Sequence, residues 1–247
     1  MYSFPVTICY ARKFGSGPIT TSLTTIWSGA TIQPGLYVYP DNAGETVQIQ
    51  STSNEDSSTG LGARMVEVQG LSPNLGDFQT EMVIMNGTTP VTLTKQYSRV
   101  FRMIVTETGD PLVNSGNLGV ITLTNVGATV VYSHIENNNR SFSQTSMALW
   151  TLPVGYQGYF IAGQVSSNGT RRSSVFLYTR DNMTGINTPF QMKYEEKLLN
   201  TAFNLELPVP EPLTGGLDIE ARGDTSDQSG TDNIAAQFHV IYSKIRR

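Results

Sequence analysis

Apolar and polar residues alternate in short runs along nearly the whole chain. Between Gly60 and Gln96, Val66 and Val68 alternate with Met65, Glu67 and Gln69, and Phe78, Thr80, Met82 and Ile84 alternate with Gln79, Glu81, Val83 and Met85. A period of two residues, with one set more apolar than the other, is the pattern of a strand that turns one face to a core. Gly70-Leu71-Ser72-Pro73-Asn74 separates the first two runs, and Asn86-Gly87 leads into a third. A type I′ turn needs positive φ at both central residues, so an Asn-Gly pair between apolar runs predicts a hairpin. The stretch therefore predicts an antiparallel meander.

The same pattern extends in both directions. Val6–Lys13 and Thr20–Trp27 are short extended runs broken by Gly15-Ser16-Gly17-Pro18, and with the residues up to Pro34 they read as an extended N-terminal arm or edge segment lying against the body of the same chain or a neighbour. Residues 51–59, STSNEDSST, are polar throughout and predict an exposed loop. In the run 97–108, Val100, Arg102 and Ile104 oppose Phe101, Met103 and Val105, and the polar break at 136–141 marks a boundary. Beyond it, Asn168-Gly169 repeats the hairpin signal. Lys193–Leu199 has helix propensity while its surroundings favour a strand, and the strand is the reading adopted. Pro208, Pro210 and Pro212 cannot donate ladder hydrogen bonds, so they predict a sheet edge or a crossover. Short strands with a turn roughly every eight to twelve residues predict an all-β fold of antiparallel β-sandwich or jelly-roll architecture. The expected organisation is an arm over 1–34 and two tandem sandwiches over 35–140 and 141–247.

Composition sharpens this picture. Charged residues make up 15% of the chain, against roughly 25% in ordinary soluble domains. Ser, Thr, Asn and Gly fill the difference, which suits strands and tight turns and equally suits surface that is buried in an assembly. A net charge of −4 lacks the basic footprint of a nucleic-acid binder, so no nucleic-acid partner is expected. No window approaches the roughly 18 apolar residues of a membrane span, and the N-terminus does not resemble a secretion signal, so no membrane partner is expected. A single cysteine, Cys9, rules out an intrachain disulfide and a thiolate zinc cluster; its strand-like setting predicts a small buried hydrophobe.

Candidate chemistry is sparse. His134 and His239 lie in strand-like runs, and no Gly-x-Ser-x-Gly elbow offers a serine to either, so both read as structural. Glu67 with Glu81, and Glu195 and Glu196 with Glu206, are the carboxylate pairs that a β-sandwich glycosidase would need at a fixed separation. Solvent-facing strand positions account for them equally. Asp224–Asn233 is an acidic loop with enough oxygen ligands for a cation but without EF-hand spacing. It begins Arg222-Gly223-Asp224, a short adhesion-type tripeptide that recurs by chance. Asn86, Asn139, Asn168 and Asn182 head glycosylation sequons, two of them better explained as turns. Trp27, Trp150, Tyr156, Tyr159 and Tyr178 are candidates for a sugar platform, with core packing as the competing assignment for Trp150 and Tyr159. No catalytic, metal or cofactor residue is assigned, and no enzyme activity is expected.

One resemblance adds to this reading. Gly62-Ala63-Arg64-Met65-Val66-Glu67-Val68-Gln69-Gly70-Leu71, then Glu81 through Asn86-Gly87-Thr88-Thr89-Pro90-Val91, then Tyr97-Ser98-Arg99-Val100-Phe101-Arg102, resemble virion structural proteins of marine tailed bacteriophages. Thr151-Leu152-Pro153-Val154-Gly155-Tyr156 and the step from Leu207-Pro208-Val209-Pro210 to Tyr242 continue the likeness, which covers about Glu45–Ile245 and leaves Met1–Pro34 unmatched. The resemblance implies a non-enzymatic protein of the virion, decorating or cementing the head or forming a knob on it. It also implies the major capsid protein or other virion proteins as partners, and a homo-oligomer, a trimer being favoured. The alternative is a receptor- or glycan-binding module on the head or tail surface, with 51–59, 181–188 and 223–233 as its tips and a host-surface glycan as partner. Under the first reading the arm is the expected contact with the coat.

Overall fold

The computed structural model describes residues 7–110, 116–137, 143–169, 171–183, 188–225 and 230–245. The Asn139 sequon, residues 184–187 of the expected tip at 181–188 and the middle of the acidic loop lie outside these. The fold is all-β. In chain order the strands are β1 (Cys9–Ile19), β2 (Thr24–Thr25), β3 (Glu45–Ser51), β4 (Ala63–Leu71), β5 (Phe78–Ile84), β6 (Val91–Tyr97), β7 (Arg99–Thr108), β8 (Ile121–Asn125) and β9 (Val131–Ile135). They continue with β10 (Leu149–Thr151), β11 (Tyr156–Ser167), β12 (Arg172–Asp181), β13 (Gln191–Leu199), β14 (Ala202–Thr214), β15 (Leu217–Asp224) and β16 (Asp232–Lys244). Every ladder between them is antiparallel.

The strands form two compact units, and their division differs from the expected 1–34, 35–140 and 141–247. One unit combines Met1–Ile26 with Ala148–Arg247, and the other is the continuous stretch Trp27–Met147. The chain therefore starts one sandwich, builds the other in full, and returns to finish the first. Residues 9–19 are an edge segment lying against the body of the same chain. They form β1, which pairs with β16 from Cys9↔Tyr242 to Ile19↔Asp232. The Gly15-Ser16-Gly17-Pro18 step does not interrupt this strand. A Cβ on Gly15 would lie 2.2 Å from the Ala148 nitrogen and 2.4 Å from the Ile26 oxygen, so glycine is what lets β1 pass that close to neighbouring backbone. Pro18 is tolerated because β1 is an edge strand.

In the Trp27–Met147 unit, the sheet β6-β3-β8-β9 packs against β5-β4-β7. Val47, Ile49, Ile121 and Leu123 from the first sheet and Val66, Val68, Val83 and Met103 from the second fill the core between them. The hairpin β4–β5 forms as predicted, pairing Met65↔Ile84 through Leu71↔Phe78. Asn86-Gly87 does not close a hairpin. β5 stays beside β4, while β6 crosses to pair with β3. Gly87 alone of the two has positive φ, at 61°, and its N–H bonds the Asp56 oxygen at 2.7 Å, so the pair makes a crossover turn between sheets. Asn168-Gly169 behaves alike: β11 pairs with β14 and β16, and β12 with β13 and β15.

In the other unit, the sheet β1-β16-β11-β14 packs against β10-β15-β12-β13, with β2 on β15. Ile19, Val165, Ile234 and Ala236 meet Ile26, Val175, Leu198 and Ala221 in its core. Residues 191–199 are strand, as adopted. The three prolines lie on β14, an edge; Pro208 and Pro210 fall where the register jumps from Phe160↔Glu211 to Ala162↔Glu206, and Pro212 stands opposite Tyr159.

Candidate functional site

Polar chemistry is concentrated where the alternation buries it. On β15, Ile219 and Ala221 face the core, which turns Asp218, Glu220 and Arg222 to the opposite face. Both carboxylates are fully buried there. Arg222 donates to both Glu220 oxygens at 2.9 and 3.2 Å, and the Thr25 hydroxyl bonds the same carboxylate. Arg180 donates twice to Asp218, at 3.0 and 2.7 Å, joined by the Thr151 hydroxyl at 2.5 Å and the Asn182 amide at 2.9 Å. The Phe190 ring lies under both guanidinium groups, 4.5 Å from that of Arg180 and 4.1 Å from that of Arg222. Buried carboxylates that are matched this fully hold strands in register. Arg222 is 5% exposed, so the Arg-Gly-Asp tripeptide sits inside a strand and does not present a ligand.

Two further aspartates tie loops to strands. Asp56, the centre of the polar run 51–59, is fully buried rather than exposed. Its carboxylate accepts from the N–H groups of Ala63, Leu118 and Gly119, each at 2.8 Å, and from the Ser51 hydroxyl at 2.5 Å. Asp232, at the end of the acidic loop, accepts from the hydroxyls of Ser167 at 2.8 Å and Ser173 at 2.6 Å.

The carboxylate pairs do not assemble as a glycosidase would need. Glu67 stands opposite Met82 and Glu81 opposite Val68, so the two point to opposite faces of their sheet. Glu81 is engaged by the N–H groups of Thr94 and Lys95 at 2.8 and 3.0 Å. Glu195 and Glu196 are successive on β13 and face opposite ways. Glu206 follows Leu205, which lines the space between the sheets, and so points to the outer face of its own sheet. Glu196 stands opposite Val175 and in line with Tyr194 and Leu198, and both it and Glu195 line the space between the sheets.

That space holds a cavity of about 230 Å³. Phe160, Val165, Leu205 and Phe238 form one wall, and Val175 and Tyr194 stand with Glu196 on the other. Burial, followed by the hydrogen bond to Glu211 at 2.9 Å, raises the Tyr194 pKa. The sequence carried a signal for this site that the reading did not use. Once 193–199 is a strand, Tyr194, Glu196 and Leu198 share one face, and a carboxylate falls between two core-facing residues.

The histidines occupy different settings. His134 on β9 is buried, its Nδ1 meets no partner among the described residues, and burial lowers its pKa to about 4. His239 on β16 has its Nδ1 2.9 Å from the Tyr10 hydroxyl, and burial followed by the Arg12 charge lowers its pKa. Cys9 is half-buried at the start of β1, not in the core. Trp27 and Trp150 are buried, whereas Tyr159 is 46% exposed, contrary to the core assignment. Among the described residues no group of three or more His, Cys, Asp or Glu side chains is placed to hold a metal ion.

No family model and no curated protein matches the chain. Among solved structures it is similar to one of infectious bursal disease virus, Gt strain, at 10% identity over 97% of this chain and 71% of that chain, with a TM-score of 0.23. A structure of the Gx strain of the same virus is similar at 10% identity over 97% of this chain and 76% of that one, with a TM-score of 0.21. Superpositions at this level do not define a shared fold.

Proposed function

We propose that this chain is a non-enzymatic virion structural protein of a tailed bacteriophage, decorating or cementing the head through protein–protein interfaces. The major capsid protein or other virion proteins are its partners, and it works as a homo-oligomer. The resemblance of Gly62–Leu71, Glu81–Val91 and Tyr97–Arg102 to phage virion proteins supports this reading.

The observation that carries it is the outer face of β5. Alternation places Phe78, Thr80, Met82 and Ile84 on that face, and the three apolar members are 36%, 49% and 59% exposed. Met65 and Ile104, half-buried on the adjoining strands, flank Glu67 on the same face. A strand that alternates correctly yet presents methionine, isoleucine and phenylalanine outward has an outer face built for contact with another protein. The test replaces Met82 with Lys and Ile84 with Glu. Exposed substitutions change stability little, so thermal unfolding should stay within a few degrees, while uptake into particles should fall roughly tenfold or more. Wild-type incorporation of the variant would count against the reading. If that result came with loss of glycan binding on substituting the loop 51–59, it would favour the receptor-binding alternative.

A further inference from the structure

The cavity between the sheets of the unit containing β11–β16 carries an inference of its own, independent of any place in a particle. Its walls are largely apolar and aromatic, yet the carboxylates of Glu195 and Glu196 also line it. Glu196 lines the cavity and stands opposite Val175, which is 4% exposed, two residues from Leu198, which is 2% exposed. The charged residues around it are matched: Glu195 pairs with Lys197 at 3.8 Å, and Glu211 pairs with Lys193 at 3.2 Å and with the Tyr194 hydroxyl at 2.9 Å. Among the described residues neither a cation nor a hydrogen-bond donor meets Glu196. Glu196 itself is half-buried, and a carboxylate beside an apolar wall gains from a cation that joins it.

The rest of the cavity defines the body that such a cation would have. The Phe160 and Tyr194 rings are stacked within 21° of parallel at 6.1 Å, and both line the same cavity as the carboxylate. Gly163 leaves the floor open. A Cβ there would rest 3.5 Å from Phe160 Cζ and 3.9 Å from Leu205 Cβ, ordinary contacts, so the residue has space that it does not fill. We propose that this cavity is a binding site for an organic ammonium, with its apolar body against Phe160, Val165 and Leu205 and its charge on Glu196.

The experiment titrates n-hexylammonium into the full chain and follows the methyl signals of Val165, Val175 and Leu205 by NMR, with 1-hexanol and hexanoate as matched probes. Saturable shifts confined to those methyls are expected, with hexanol roughly tenfold weaker than the ammonium and hexanoate weaker still. Glu196→Gln should bring the ammonium down to the affinity of hexanol, and Gly163→Val should abolish binding of both by filling the floor. An Nα-acetyl-lysine amide arm separates the sources of the same chemistry: equal affinity extends the site to a protein lysine, and weaker affinity assigns it to a free amine. Equal binding of hexanol and hexylammonium, an unchanged affinity in Glu196→Gln, or the absence of saturable binding would overturn the proposal. If Gly163→Val fails to fold, the conservative Glu196→Gln comparison decides alone.

Discussion

At the scale of single residues, the chain uses its few buried charges as fasteners. Asp56 satisfies three backbone N–H groups and one hydroxyl, so Asp56→Ala would leave buried donors unpaired at 63, 118 and 119. Leaving a buried polar group unmatched costs about 1–3 kcal/mol, so we expect a loss of roughly 3 kcal/mol or more, read by denaturant unfolding. A loss below about 1 kcal/mol would refute the fastening role. His134 gives a pH dependence. Its folded pKa of about 4 lies below the ordinary 6.5 because burial disfavours the imidazolium. The unfolded chain therefore takes up the proton first as pH falls. The contribution of the neutral ring is complete above pH 6.5 and is lost as pH falls toward 4, a change on the order of 3 kcal/mol. His134→Gln should flatten the stability slope across that window; an unaltered slope would show that other groups set it.

At the scale of elements, existence was legible, and pairing was legible in the local β4–β5 hairpin but not across the crossovers. Period two identified the strands, including 191–199, because alternation reports which face is buried. It does not report the neighbour. Asn86-Gly87 carried the right composition for a hairpin, but its partners are Asn54 and Asp56, residues in a loop more than thirty positions away. The same limit hid the cavity: alternation puts Glu196 on the face of Tyr194 and Leu198, but that this face meets Phe160 and Leu205 of the other sheet is set by the pairing. Gly15-Ser16-Gly17-Pro18 looked like a break since glycine weakens a strand, while its reason is the approach to Ile26 and Ala148. Removing residues 1–26 should therefore do more than detach an anchor. It strips an eleven-residue ladder from β16 and uncovers a core that includes Ile19 and Ile26. We expect proteolysis to clear 148–247 while a fragment near 27–147 persists. Equal resistance of both would contradict the pairing of β1 with β16.

At the scale of the whole molecule, local pattern could not show that the chain leaves one sandwich at Ile26 and returns to it at Ala148. The polar break at 136–141 precedes the return point at Ala148. The departure point lies beside buried Trp27, with nothing in composition to mark it. The all-β scaffold and the apolar outer face of β5 are what the proposed role in a particle rests on. The most direct test is the number of copies of this chain in purified particles, by quantitative mass spectrometry against the major coat protein. A fixed stoichiometric ratio to the coat, retained through gradient purification, is the predicted result. Particles that lack the chain, or carry it in amounts that fall with each purification step, would contradict a structural role in the virion.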